Sequence, residues 1–272
     1  MTQYLFNRKI EVSIDNGSKT AVFVCDNSPN SLKIHFDSEF SNEPMPNVTN
    51  ISIFNLSETS RKEIKKGAKV ILKAGYVGDV GVISEGYINL ISPVQYDGTT
   101  KEIAFSFIEG VDYSEKNDIN MTFGKGSYAK TIIQRVAQKA NISISKIELK
   151  TNKKYSSGYT ADGNPLDILQ EIVEACKSAM YFRRGKLVIR DIKSGDDERF
   201  ILEQTSGLLG YPQRFEEDDQ SGWSIRSLLQ HRIATASIIE IKSKYVKGTY
   251  RVRGGTHSSN GDNFETNCEV IG

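Results

Sequence analysis

The chain has 272 residues, and its thirty-five basic and thirty-four acidic side chains leave a net charge of +1, which argues against a protein whose main task is to neutralise phosphates. That length holds one large domain or two to three small ones, each able to bury a core without staples. Cys25, Cys176 and Cys268 are far apart and in no metal-ligand spacing, so reduced or buried thiols are expected and zinc is not. The opening MTQYLFNRKIEVSI carries Arg8 and Lys9 and has no long apolar run, unlike an ordinary signal peptide. No window approaches the roughly 20 apolar residues of a spanning helix. The expectation is a soluble chain without a membrane anchor or export signal, which would leave a cell only inside a larger particle or by lysis.

The first 112 residues read as almost entirely β. Strands are predicted over Tyr4 to Ile14, Thr20 to Val24, Leu32 to Phe36 and Val48 to Phe54, in the last of which apolar residues mostly alternate with polar ones. Asp15-Asn16-Gly17 and Asp97-Gly98 are turn signals, and Pro44 and Pro46 mark an extended loop. Leu56 and Ser57 predict a staple and cap for a helix over 58–66, with Ser60 and Glu63 offering a second capping register and Gly67 ending it. A hairpin follows, from Val70 to Ala74 and from Val82 to Leu90 around Gly75, Gly78 and Gly81, and then a strand from Glu102 to Ile108.

Composition shifts near residue 113. Ser127 is placed to cap a helix in which Ala129, Ile132, Ile133, Val136, Ala137 and Ala140 form an apolar stripe. A second helix is predicted at Asn164-Pro165, with Leu166, Leu169, Ile172, Val173 and Cys176 facing the core. Extended segments over Ile142 to Leu149 and Lys154 to Tyr159, with a hairpin turning at Arg184-Gly185, complete an α+β unit. From residue 200 the chain returns to β, with strands expected over Phe200 to Leu202, at Leu208-Leu209, and over Trp223 to Leu229, Ile233 to Ile241, Thr249 to Val252 and Phe264 to Ile271.

Three stretches carry a family resemblance. IFNLSETSRKEIKKGAKVILKAGY with its hairpin and GYINLI resembles the N-terminal barrel segment of hub proteins at the tail tip of long-tailed bacteriophages and phage-tail-like bacteriocins, the late-control-protein-D-like hub family. YTADGNPLDILQEIVEACKSAMYFRRGKLVIRD is similar to the α+β unit that family places between two barrels, and LLGYPQRFEEDDQSGWSIRSLLQHRIATASIIEIKS and YRVRGGTHSSNGDNFETNCEVI resemble its second barrel. The resemblance implies a mainly β fold: two antiparallel β-barrel-like domains, 1–112 and 196–272, flanking a small α+β domain, 113–195. It implies a homotrimeric ring whose six similar β units surround a lumen and adapt a hexameric tail tube to a three-fold central spike. The partners would be the chain itself, the tube or distal tail protein and the spike protein. DNA would pass through the lumen without sequence recognition. The protein would be a virion tail component assembled in the bacterial cytoplasm, with no cofactor and no turnover.

Each residue that invites chemistry has a plainer reading. His257, beside Gly254-Gly255 and followed by Asp262 and Glu265, has the composition of a metal or general-base site. With His35 and His231 remote in sequence, it reads better as part of a solvated loop. Gly75, Gly78 and Gly81, and likewise Gly124 and Gly126, match no phosphate-loop fingerprint and read as turns. The acidic run Glu216-Glu217-Asp218-Asp219 lacks calcium-loop spacing, and Arg183-Arg184-Gly185-Lys186 reads as an exposed hairpin tip rather than a nucleic-acid contact. Trp223, Tyr211 and Phe215 are core or subunit-interface aromatics. No nucleophile elbow or helical His-Glu-x-x-His is present, so no catalytic, cofactor or metal residue is assigned. Two other readings stay open. One is a receptor- or glycan-binding β module displaying aromatic platforms on loops. The other is a peptidoglycan hydrolase, whose site would have to lie in 113–195, where no acid-base pair is evident.

Overall fold

The structure, a computed structural model, describes residues 6–113, 116–194, 199–217 and 220–272. The first segment contains β1 (Arg8–Asp15), β2 (Thr20–Cys25), β3 (Ile34–Phe40), β4 (Val48–Phe54), α1 (Glu58–Arg61), β5 (Lys69–Tyr76), β6 (Asp79–Ile91), β7 (Gln95–Asp97) and β8 (Thr100–Glu109). The middle segment contains β9 (Ile119–Phe123), β10 (Ser127–Tyr128), α2 (Ala129–Lys139), β11 (Ile144–Glu148), β12 (Lys154–Tyr155), β13 (Tyr159–Gly163), α3 (Pro165–Ala175), β14 (Ala179–Arg183) and β15 (Lys186–Arg190). The last contains β16 (Arg199–Leu202), β17 (Leu208–Glu217), β18 (Gln220–Leu228), β19 (Ile238–Lys242), β20 (Lys247–Ser259) and β21 (Phe264–Ile271). Of the first predicted strand, Tyr4 and Leu5 lie outside the described residues.

The molecule is mainly β. Strands of the first and last segments form one 14-stranded sheet in the order β17-β18-β21-β20-β3-β4-β8-β6-β5-β1-β2, with β19 and β16 joined to β20 and β7 to β8. Two separate barrels were the sequence expectation; the order found is open, with no closed barrel among the described residues. The joint is β20. Its first half pairs with β19 through Lys247 to Arg251, while along its second half Gly255 to Ser259 pair with Phe40 to Phe36 of β3. A strand of 13 residues is long enough to hold two partners in succession along one edge. Pairing in the sheet is antiparallel apart from β16 with β19.

Local chemistry explains the elements. In β3 every second residue, Ile34, Phe36, Ser38 and Phe40, is buried, the period of a strand covered on one face. The β1–β2 turn forms at Asn16-Gly17, where Gly17 has φ +86° and its N–H donates to Asp15 Oδ1 at 2.9 Å. The β5–β6 hairpin turns at Val77-Gly78. Ser57 caps α1, its hydroxyl accepting from the Ser60 N–H at 3.1 Å. The helix stops at Arg61 rather than 66, because Glu63 and Ile64 donate to carbonyls three residues back and the Glu63 carboxylate accepts from Asn16 Nδ2 at 2.7 Å instead of capping.

The middle segment has its own core. Ile132, Ile133 and Val136 of α2 and Leu169, Ile172 and Val173 of α3 are all essentially inaccessible, and such burial stabilises by about 1.5–3 kcal/mol per side chain. Asn164 caps α3, accepting the Leu166 N–H at 2.9 Å, with Pro165 at the first helical position. The predicted Ser127 cap is not formed. α2 starts after Tyr128, and its N-terminal donors go to the Lys153 carbonyl (2.8 Å) and Asn152 Oδ1 (3.0 Å), while Ser127 Oγ donates to the Gly124 carbonyl. Cys176 is buried at the end of α3, as expected.

Candidate functional site

Polar side chains that the sheet cannot absorb converge where the three segments meet. The β14–β15 hairpin turns at Arg184 and Gly185, both with positive φ, the pattern of a two-residue hairpin turn. Its tip does not stand in solvent as the sequence reading had it. The Gly185 N–H donates to Glu109 Oε1 at 2.9 Å, and Asn47 Nδ2 donates to Glu109 Oε2 at 2.7 Å. Glu109, at the end of β8, is 3% exposed; burial raises its pKa above the ordinary carboxylate value, opposed by these hydrogen bonds and by the Arg184 charge.

Further polar contacts tie the junction together around a concavity of about 510 Å³ lined by Gly81, Glu85, Arg183, Arg184 and His231. Arg184 Nη2 donates to the His231 carbonyl at 3.0 Å, and Arg183 Nη2 to Ser237 Oγ at 3.3 Å, so the basic cluster ties the middle segment to the last. Asp79 of β6 receives both terminal nitrogens of Arg232, at 2.5 and 2.7 Å, a two-pronged pair that fixes orientation as well as charge. A Cβ on Gly81 would lie 2.0 Å from the His231 ring, and one on Gly185 would lie 2.9 Å from the Glu85 carbonyl. These two glycines serve close approach between segments.

His257 departs from expectation too. It lies within β20 and is 2% exposed, not in a solvated loop. Its Nε2 is 2.9 Å from the Ile233 carbonyl, which only accepts, so Nε2 carries the proton. Nδ1, 2.8 Å from Thr266 Oγ1, then accepts from that hydroxyl, whose oxygen in turn accepts the Gln230 N–H at 3.0 Å. Burial pushes the imidazole pKa down to about 3, so the ring is neutral. Of the neighbours that suggested a site, Glu265 is engaged elsewhere, pairing with Arg226 at 2.6 and 2.7 Å, and Asp262 lies in the β20–β21 turn, its backbone carbonyl accepting from Arg8. His35 packs edge-on against Phe54. The arrangement locks β20 to β21 and offers no open ligand position.

The remaining candidates stay dispersed. Glu216 pairs with Arg214 at 2.7 Å on the surface, and Asp218 and Asp219 lie outside the described residues. Trp223 packs partly buried against the core of the last segment, Phe215 lies beneath Gly222, and Tyr211 is exposed. Burial pushes the Cys268 thiol up to about 12, leaving no thiolate at neutral pH. Among the described residues no three His, Cys, Asp or Glu side chains converge as metal ligands, and no helix is long and apolar enough to cross a membrane. Glu109, Asn47, Asp79 and Arg232 were not singled out from the sequence. The signal for Glu109 was there: it follows Ile103, Phe105 and Phe107 on the inward face of β8.

No protein-family model matches the sequence, and no curated protein sequence matches it. Solved structures do match. A tail protein from Neisseria meningitidis superposes with a TM-score of 0.67 at 9% identity, covering 98% of this chain and 97% of that one. The 43 kDa tail protein of prophage MuSo2 from Shewanella oneidensis gives 0.65 at 11% identity, covering 97% and 98%. The E. coli c3393 protein, a type VI secretion component with structural similarity to the T4 tail proteins gp27 and gp5, gives 0.65 at 10% identity, covering 90% and 75%. Over nearly its whole length, the chain therefore has the fold of phage tail proteins.

Proposed function

We propose that the chain is a structural hub of a phage or phage-tail-like baseplate, a homotrimeric ring that joins a hexameric tail tube to a three-fold central spike. The observation that carries this reading is the end-to-end likeness to two tail proteins, which spans both β segments and the α+β unit between them. In this reading the strands of 1–112 and 196–272 act as two β units, joined in one sheet, around 113–195. Three subunits then offer six similar β surfaces to a six-fold tube. The sheet lends itself to assembly, since β2 and β17, at its two ends, are each paired to one strand only among the described residues. Unpaired edges of this kind are normally covered, and a heterologous contact that closes on itself makes a ring.

The function lies in surface fit and lumen size, with no turnover and no cofactor. The partners are further copies of the chain, the tube or distal tail protein, and the spike, and the site of action is the virion tail. DNA crosses the lumen without being read. Support for a position next to the spike comes from the c3393 likeness and from a Francisella PdpA–VgrG complex, matched with a TM-score of 0.53 at 8% identity. Co-expression with the tube protein of the same tail, followed by negative-stain imaging, is the test. Rings of three-fold outline capping tube ends are the predicted result. Tube ends that stay bare at saturating concentrations of the chain would reject the reading.

A further inference from the structure

Tyr211 on β17 and Tyr245 in the β19–β20 turn are 52% and 65% exposed, and their ring centroids stand 4.7 Å apart at 74°. Beside them opens a concavity of about 390 Å³ lined by Glu203, Gln204, Thr205, Tyr211, Lys242 and Lys244. Large aromatic side chains carry enough apolar area that exposure of a contacting pair calls for an explanation.

Both walls are held in place without a ligand. In the turn that presents Lys244 and Tyr245, Ser243 Oγ accepts the Val246 N–H at 2.9 Å and donates to the Val246 carbonyl at 3.0 Å. On the opposite wall, Ser206 Oγ accepts the Glu203 N–H at 2.9 Å and donates to the Ile201 carbonyl at 2.7 Å, while Thr205 Oγ1 donates to Glu203 Oε1 at 3.0 Å. A site formed in advance loses little freedom on binding. Its volume is that of a small-ligand pocket.

The lining sets the ligand class. The Gln204 amide both donates and accepts, the Thr205 hydroxyl and Glu203 carboxylate add acceptors, and Lys242, paired with Glu240 at 3.2 Å, and Lys244, whose Nζ stands 5.3 Å from the Tyr245 ring centroid, bring two ammonium groups with donors to spare. The Tyr211 ring, next to alternating donors and acceptors, matches a pyranose, which offers a C–H face on one side and hydroxyl groups around its edge; Tyr245 supports that ring from outside the lining. We propose that this concavity binds a saccharide, and that Lys242 and Lys244 favour one bearing carboxylates. The assignment goes beyond the hub reading and requires that the stretch of β17 around Tyr211 stay uncovered in the assembly.

The test uses the full chain with two probes, trigalacturonate as the acidic ligand and tri-N-acetylchitotriose as the neutral one, followed by saturation-transfer NMR and calorimetry. Trigalacturonate is predicted to bind with a Kd of about 1 mM or tighter. Tyr211→Ala and Tyr245→Ala are predicted to weaken it at least tenfold at unchanged melting temperature. Tyr211→Phe keeps the ring and should retain binding, and Lys244→Ala should weaken the acidic probe alone. Binding of the neutral trimer only would uphold the saccharide site and overturn the part given to the lysines. Three results would overturn the site itself: no saturation of either probe at millimolar concentration, alanine variants that bind as the parent does, or alanine variants whose assembly mass falls, since that would make the tyrosine pair a subunit contact.

Discussion

Replacing Glu109 tests whether the three segments are locked by the hydrogen bonds found where they meet. In Glu109→Ala, Asn47 Nδ2 and the Gly185 N–H lose the acceptors they now have at 2.7 and 2.9 Å. A buried donor left without a partner costs about 1–3 kcal/mol; two such donors, offset in part by removal of a buried carboxylate, give an expected loss of about 2–4 kcal/mol. Glu109→Gln offers one acceptor and one donor, as the protonated carboxyl does, and should cost no more than about 1 kcal/mol. The pH dependence has a definite sign. Because burial raises the folded-state pKa of Glu109, the native state keeps a proton that the unfolded chain has released. Its contribution to stability is therefore complete below about pH 4.5 and is lost as pH rises through the folded pKa. The advantage of the parent over Glu109→Gln should then be widest in acid and narrow toward alkaline pH. Urea denaturation across pH, with hydrogen exchange at residues 183–186 and 41–47, measures both. A Glu109→Ala protein within about 0.5 kcal/mol of the parent, or a gap that widens with pH, would refute the reasoning.

Other perturbations follow from the same geometry. Gly86→Ala, whose Cβ would lie 1.8 Å from the Ile108 carbonyl oxygen, should destabilise more than Gly81→Ala, where the clash is with the His231 side chain at 2.0 Å; overpacking of this kind costs about 1–3 kcal/mol, and thermal melts rank the two. Asn164→Ala removes the α3 cap and should cost about 1 kcal/mol by urea melt. For His257, whose folded pKa is pushed down to about 3, the stability tied to the neutral ring is present above about pH 6.5 and is lost as pH falls toward that value. The parent should lose stability faster than His257→Gln between neutral and acid conditions, by up to about 1.4 kcal/mol per pH unit; equal slopes in paired denaturation series would count against a neutral buried ring.

What the sequence disclosed was local. The alternation in β4, the turns at Asn16-Gly17 and Arg184-Gly185 and the Asn164-Pro165 helix start each depend on a few neighbouring residues, and each formed. What stayed hidden involves partners distant along the chain. The pairing of β3 with β20 has no local mark, because any strand edge with free N–H and C=O groups can accept it. That pairing turns two expected barrels into one sheet, and it also buries His257, whose glycine-rich surroundings read as a loop. Ser127 lost its capping role to Asn152, which reaches in from across the middle segment. Arg183 and Arg184 looked exposed because a hairpin tip usually is; here the tip docks on Glu109 and on the backbone of the last segment.

Absolute mass in solution, measured by light scattering on the purified chain over a concentration series, tests the hub reading most directly. The account predicts a species of three times the 30.4 kDa chain mass, stable on dilution and able to bind tube protein. A chain that stays monomeric at every concentration, with tube protein present or absent, would contradict it.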